Sequence, residues 1–286
     1  MKTVQTYFDE VTYTLTYIVF DQETKDALII DPVWDYDPLA SQMSSESVDK
    51  VIDFASSKNL KVHYILETHA HADHLSGAQL LKKAFSGSKI AIGEHITAVQ
   101  ETFKPVFAMP DDFKTDGSQF DLLMKEGTSV SAGSIKINVL YTPGHTPACS
   151  TYLIDDCIFT GDAIFMPDGG TGRCDFPKGS ATDLYKSISQ KLYSLPDSTR
   201  VFVGHDYQPG GRALAFETTI GEQKKSNIQL PEGRTEAEFV EFRSKRDATL
   251  KMPKLIFQSV QVNMNGGNFF GARERAGFFY IPVKLG

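Results

Sequence analysis

The sequence predicts an α/β protein in which two mixed β-sheets pack together with helices on the outside. Two observations predict it. Short strand-like and helix-like stretches follow one another in two similar halves without a sequence repeat, and layering sheets under helices is how such elements bury their apolar faces. The chain also has 286 residues with 41% hydrophobic content, enough for one large domain with its own core.

The first strand is read from Val11, Tyr13, Leu15, Tyr17 and Val19, which alternate with Thr12, Thr14, Thr16 and Ile18, the period of a strand with one buried face. The polar stretch DQETKD (21–26) then turns the chain into ALIID (27–31), closing a hairpin. Val48, Val51, Ile52 and Ala55 fall at helical spacing, and VHYIL (62–66) is β-rich and short enough for a buried strand. That strand runs into ETHAHADHL (67–75), after which a helix starting near His74 is expected to carry Leu75, Ala78, Leu81 and Phe85 on one stripe. KIAIG (89–93) is the next strand.

In the second half Ile135, Ile137, Val139 and Tyr141 alternate with Lys136 and Asn138, and residues 151–160 read as a hairpin turning at Asp155 and Asp156. Leu184, Ile188 and Leu192 mark a helix whose start, residues 180–183, resembles a capping box. VFVG (201–204) is the strand after it. Residues 235–250 form a charged helical stretch, and VNMNGGNFFG (262–271) reads as loop. One domain is expected over residues 1–286, with a core over about 10–225 and a C-terminal extension over about 226–286.

A net charge of −7 argues against a broad phosphate-binding surface, which depends on clustered Lys and Arg, so nucleic acid is excluded as a partner. The N-terminus has neither an apolar export core nor an Arg-rich amphipathic pattern. No apolar stretch approaches the ~18 residues that span a bilayer. These absences lead to the expectation of a cytoplasmic protein without membrane contact. Cys149, Cys157 and Cys174 lack metal-finger spacing and are odd in number, which suits free thiols in a reducing compartment. The C-terminal extension has room to cover an edge strand, bury a homodimer interface or close a substrate mouth.

Chemistry concentrates in ETHAHADHL. On a helix His69 and His71 would point about 200° apart, since each residue advances roughly 100°. A loop between a strand and a helix can instead bring His69, His71, Asp73 and His74 onto one volume. Asp73 alone would pass for a helix cap. Yet His145 in TPGHTPAC (142–149), Asp162 in FTGDAIF (159–165) and His205 in VGHDY (203–207) also sit at the ends of strands. Gathering so many ionisable groups at strand ends is costly without a cation to hold them. A metal site is the reading that removes that cost.

With these residues in place the chain resembles the metallo-β-lactamase superfamily, whose signature THxHxDH stands here as THAHADH (68–74), followed in order by the GH, GD and GHD elements. The resemblance covers about residues 10–225. It implies an αββα sandwich with the metal between the upper edges of two mixed sheets. It also implies that His69, His71 and His145 hold one metal, Asp73, His74 and His205 a second, and that Asp162 lies between them.

Ligand type leaves two reactions open. A nitrogen and oxygen set with a bridging carboxylate suits two Zn²⁺ ions that activate water in a thioesterase or lactonase. Two His and one carboxylate on one face suit a single non-haem Fe(II) that activates O₂. The stretches IIDP (29–32), THAHADHLSG (68–77), TGRCDFP (171–177) and ETTIGEQKKSN (217–227) resemble the persulfide dioxygenase branch and its bacterial β-lactamase-like hydrolase relatives, and the GR-x-DF element from Gly172 is the most discriminating. That resemblance implies one Fe(II) per chain held by His69, His145 and Asp162, with His71, Asp73, His74 and His205 orienting the site or holding a second metal. The implied reaction is glutathione persulfide with O₂ and water giving sulfite and glutathione, a step of sulfide metabolism. The rival it leaves is a zinc hydrolase of glutathione thioesters or related esters.

Glutathione carries two carboxylates, which Arg meets most efficiently in bidentate fashion. Arg173 and, more weakly, Arg212 are the candidate contacts, with a structural pair between Arg173 and Asp175 as the alternative for the first. Asp206 and Tyr207 are expected to line the same rim. Cys174 as a nucleophile would need an activating base, and the sequence designates none.

Overall fold

The structure, a computed structural model, describes residues 2–269 and the backbone of the short strands Glu274–Arg275 and Phe278–Phe279. Phe270 and Gly271, the last two residues of the stretch read as loop, lie outside the described residues.

The first six-stranded sheet runs β1 (Thr3–Asp9), β2 (Thr14–Phe20), β3 (Asp26–Ile30), β6 (Lys61–Glu67), β8 (Lys89–Gly93) and β9 (Leu122–Met124). Its first three strands are antiparallel neighbours and its last three join in parallel. Between β3 and β6 lie β4 (Val33–Asp37), β5 (Gln42–Ser44) and helix α1 (Glu46–Ser57). The second six-stranded sheet runs β10 (Ser129–Ala132), β11 (Ile135–Tyr141), β12 (Ser150–Ile154), β13 (Cys157–Phe159), β14 (Arg200–Phe202) and β15 (Glu217–Thr219). Only β13 and β14 are parallel in it, so both sheets are mixed as the sequence predicts.

The sheets face each other across a core in which Leu15, Tyr17, Leu28 and Ile30 meet Ile137, Val139, Tyr152 and Phe159. Tyr17 stands edge-on to Phe159 and Phe202, with ring centroids 5.3 and 5.5 Å away. Its hydroxyl donates to the Val203 carbonyl at 2.6 Å. On the far face of the first sheet, Ile18, Ile29, Ile65 and Ile90 pack under α1, α2 (Ala78–Ala84), α3 (Ile96–Val106) and α7 (Ile256–Asn263). The second sheet is covered by α4 (Ala181–Lys186), α5 (Ile220–Ser226) and α6 (Glu236–Asp247), through Leu184, Ile220 and Phe239. Among the described residues no helix is long and apolar enough to cross a membrane.

Several expectations are corrected here. The strand read from Val11 begins at Thr14, because residues 10–13 turn the chain back from β1, with Tyr13 at φ +61 and Val11 75% exposed. All seven residues of β2 are buried, since core lies on one side of it and helices on the other. Its threonines tolerate this because their hydroxyls find partners, as Thr16 does by donating to the Asp31 carbonyl at 2.7 Å. The helix expected near His74 starts at Ala78. Before it, Leu75 and Ser76 form β7, a two-residue strand paired with Val33 and Trp34, which frees Asp73 from any capping duty. Finally, Val262 and Asn263 belong to α7, because Ile256, Val260 and Met264 give that segment an apolar face.

Other readings have clear local causes. Ser180 caps α4 by accepting from the Asp183 amide at 3.1 Å, and beyond α4 the chain continues in a π turn at Ser187–Lys191. Thr235 and Glu238 form a reciprocal capping box on α6.

Candidate metal centre

All the candidate ligands lie at one end of the sandwich. His69, His71, Asp73 and His74 are on the loop after β6, His145 follows β11, Asp162 follows β13 and His205 follows β14. The sheets are tied together at this end. Tyr152 donates to the Glu67 carbonyl at 2.7 Å, Ser150 N to Thr68 O at 2.9 Å, and Leu15 N to Gly204 O at 2.9 Å. Sequence positions 69 to 205 are thereby fixed on a rigid frame.

The ligand atoms of His69, His145 and Asp162 all lie within 4.8 Å of one another, and those of His71, Asp73 and His74 form a second such group. Asp162 stands between them, with one oxygen 3.5 Å from His145 Nε2 and the other 3.3 Å from His205 Nε2. His205 Nε2 is also 3.4 Å from Asp73. Every candidate ligand from the sequence is therefore in one cluster.

Hydrogen bonds on the outer ring nitrogens decide which atoms face inward. His145 Nδ1 donates to the Arg173 carbonyl at 2.7 Å, His74 Nδ1 faces Leu75 O at 3.2 Å and His205 Nδ1 faces Tyr13 O at 3.2 Å. His69 Nδ1 meets Thr68 Oγ1 at 3.0 Å, and that hydroxyl in turn donates to Asp31 at 2.7 Å. A proton placed on Nδ1 leaves Nε2 as the free lone pair in each case. His71 is the reverse: its Nε2 lies 3.1 Å from Asp31 and 3.4 Å from Glu67, leaving Nδ1 inward.

The consequence is a set of stranded atoms. His69 Nε2, His71 Nδ1, His74 Nε2, His205 Nε2 and Asp162 Oδ1 are buried without a hydrogen-bond partner among the described residues. An unsatisfied buried polar group costs about 1–3 kcal/mol, so leaving all of these bare would rival the stability of the domain. A cation satisfies them together. Burial and neighbouring imidazoles hold His69 well below the usual histidine range, and burial brings His74 down to about 4, so both keep the neutral form that ligates. Burial opposes ionisation of Asp73, but His205, His74 and His71 outweigh it and lower its carboxyl to about 2. The residues present fit a metal.

Two site residues escaped the sequence reading. Asp31 accepts from Thr68 N and Oγ1 while facing His71, and Glu67 accepts from Ser76 Oγ while facing the same imidazole. Burial disfavours protonation of His71, yet these two carboxylates push it well above the usual range. The only sequence signal was an acid directly after a short apolar run, in IIDP and in YILE.

The expected substrate contacts fall differently. Arg173 is bidentate on Asp175 at 2.5 Å for both bonds and donates to Lys251 O, so it makes the structural pair that was the alternative reading. Arg212 places its N–H groups on Asp168, Asp206 and the Ala213 carbonyl, which occupies all five donors. Asp206 is 2% exposed and is an internal anchor for Arg212 rather than a rim residue. Tyr207 is 53% exposed and stacks on His205 with centroids 5.5 Å apart. Burial raises the thiols of Cys149 and Cys157 to about 12 and that of Cys174 further, so none is a ready nucleophile. A cavity of about 850 Å³ opens beside His74, between Phe8, Trp34, Tyr36 and Leu255, and its charged lining is mostly acidic, with Asp9, Glu10, Asp35, Asp37 and Glu46 beside Lys50.

Close backbone packing explains the glycine in the GHD element. Gly204 N donates to Gly161 O at 3.1 Å, and a Cβ on Gly204 would stand 2.8 Å from the Gly161 carbonyl carbon and 2.9 Å from Asp162 Oδ1. Gly204→Ala is expected to push β14 from Asp162 at a cost of about 1–3 kcal/mol. Metal analysis of the purified variant should show reduced occupancy; full occupancy at the wild-type melting temperature would contradict this account of the contact.

Seven His and Asp side chains gathered at one end of a two-sheet sandwich, in groups that could hold a metal, mark a metal-dependent enzyme of the αββα class. Residues 10–205 match the family model of the metallo-beta-lactamase superfamily, and the chain belongs to that superfamily. It is 45% identical to a probable metallo-hydrolase of Burkholderia pseudomallei, over 99% of both chains. It is 30% identical to the mitochondrial persulfide dioxygenase ETHE1 of Homo sapiens, over 91% of this chain and 87% of that protein. Among solved structures, ETHE1 from Myxococcus xanthus superimposes with a TM-score of 0.74 at 29% identity, covering 93% of this chain and 100% of that one.

Proposed function

We propose that the chain is a non-haem Fe(II) persulfide dioxygenase that converts glutathione persulfide, O₂ and water to glutathione and sulfite, with two protons released. His69, His145 and Asp162 are the residues that would hold the iron. The observation that carries the reading is how the GR-x-DF element is built into that triad. Gly172 passes so close to Asp162 that a Cβ would overlap its carbonyl oxygen, the Arg173 carbonyl accepts a hydrogen bond from His145 Nδ1, and the Phe176 ring lies 6.4 Å from His145. The segment most typical of the dioxygenase branch thus orients two of the three triad residues. The likeness to proteins named persulfide dioxygenase or ETHE1 supports the same reading.

Bound Fe(II) would supply open positions where O₂ and the terminal persulfide sulfur meet. The chain's own residues keep the site in order. The Asp31, Thr68 and His69 series fixes one imidazole, and Tyr207, half in solvent, stacks on His205.

A second reading has one observation behind it: His71, Asp73, His74 and His205 are all present beside the triad, as a binuclear zinc hydrolase of glutathione thioesters or related esters requires. The similarity to a probable metallo-hydrolase supports it. Oxygen uptake with glutathione persulfide, on protein of measured metal content, decides between them. Rapid uptake with near-stoichiometric iron is expected. Stoichiometric zinc with thioester turnover and no oxygen uptake would sink the dioxygenase reading.

A further inference from the structure

We infer that Asn263, on the last turn of α7, is a positioning residue that holds the metal-binding loop in its ligating shape. Its side-chain Nδ2 donates to the carbonyls of His71 and His74, both at 2.8 Å, and its Oδ1 accepts from the Ser76 amide at 2.8 Å. The residue is 4% exposed. A buried amide must be satisfied somewhere. Here all three partners lie within six residues of the motif loop, some 190 positions away in sequence.

The geometry suits Asn and no other side chain of that size. Two donors and one acceptor are needed on one short planar group. Asp would keep the acceptor but set a carboxylate against two carbonyls. Ala would strand three backbone groups in a buried loop. The loop itself is irregular between β6 and β7, so no ladder of its own fixes the turn on which His71, Asp73 and His74 depend.

The rest of the α7 end is anchored to the frame rather than to the loop. Val260 and Met264 pack into the core beneath the first sheet. Gln100 donates to Met264 O at 2.9 Å and Gln79 to Gly266 O at 2.6 Å, tying the turn after α7 to α3 and α2. Asn263 therefore transmits the position of that anchored helix to the ligands, the task that residues behind a metal's own ligands perform.

This inference rests on reading residues 69–74 as metal-holding, and holds whichever metal and reaction apply. The test uses the full chain as Asn263→Ala, Asn263→Asp and, as a control in the same helix, Val260→Ala. Two readouts are taken: Zn²⁺ affinity by competition with a chromophoric chelator, and hydrogen exchange at the Ser76 amide in metal-free protein. Both Asn263 variants are expected to weaken Zn²⁺ binding by about 10- to 100-fold. Asn263→Ala should also speed exchange at Ser76, while Val260→Ala, which keeps all three Asn263 bonds, lowers the melting temperature and costs clearly less affinity than either Asn263 variant. Unchanged affinity in Asn263→Ala, unchanged Ser76 exchange, or an equal affinity loss in Val260→Ala would each overturn the proposal. Wild-type protein that bound no Zn²⁺, with Ser76 exchange still accelerated by Asn263→Ala, would instead sink the metal reading and leave the loop anchor standing.

Discussion

Asp162→Asn should leave a folded protein that has lost its metal and its activity. The substitution preserves volume but removes the carboxylate that, among the described residues, faces both His145 and His205, at 3.5 and 3.3 Å. A neutral amide also presents an N–H where a ligand oxygen is needed. Metal chemistry contributes several kcal/mol to its reactions, so turnover is expected to fall by about a thousandfold or more, under either the iron or the zinc reading. Metal content, far-UV circular dichroism and turnover measured on one preparation check this. Near-wild-type turnover with metal retained would remove Asp162 from the centre.

The second large effect is on stability. Tyr17→Ala empties the meeting point of the two sheets, where Tyr17 is 2% exposed between Phe159 and Phe202. Deleting a buried aromatic costs about 3–5 kcal/mol, which for a domain of this size lowers the melting temperature by roughly 10 °C. Tyr17→Phe keeps the ring and loses only the hydroxyl bond to Val203 O, a cost of about 1 kcal/mol. Thermal unfolding of the pair separates packing from hydrogen bonding. Equal melting temperatures for the two variants would show that the ring is not what joins the sheets. Val203 lies two residues before His205, so the same bond also seats a candidate ligand.

The legibility of the sequence follows from what kind of signal each feature leaves. Helices α1 and α6 and strands β6, β8 and β11 are local patterns of period and capping, and they read directly. Strand β1 does not, because its residues are all half-buried at a sheet edge and carry no clean alternation. Strand β2 misleads because Thr14 and Thr16 look solvent-facing, while their environment is set by β3, β14 and the motif loop. The seven clustered His and Asp residues were legible as candidates because such residues at strand ends need a cation. Asp31, Glu67 and Asn263 were not, since an acid or an amide next to an apolar run has no local mark of what it touches. Arg173 and Arg212 were read by residue type for an anionic substrate, and nearby acids satisfy them first: Asp175 two residues on, Asp206 six residues back and Asp168 across the fold.

The anchoring of the motif loop by α7 also sets an order of events during synthesis. His71 and His74 leave the ribosome long before Asn263, which bonds them across 192 and 189 positions. Chains grow at about 5–20 residues per second, and their early parts fold while later ones are still being made. For roughly ten seconds or more the nascent chain then carries its histidine cluster without the side chain that closes it. Metal captured in that interval would meet an unfinished pocket, so correct loading belongs to the completed polypeptide.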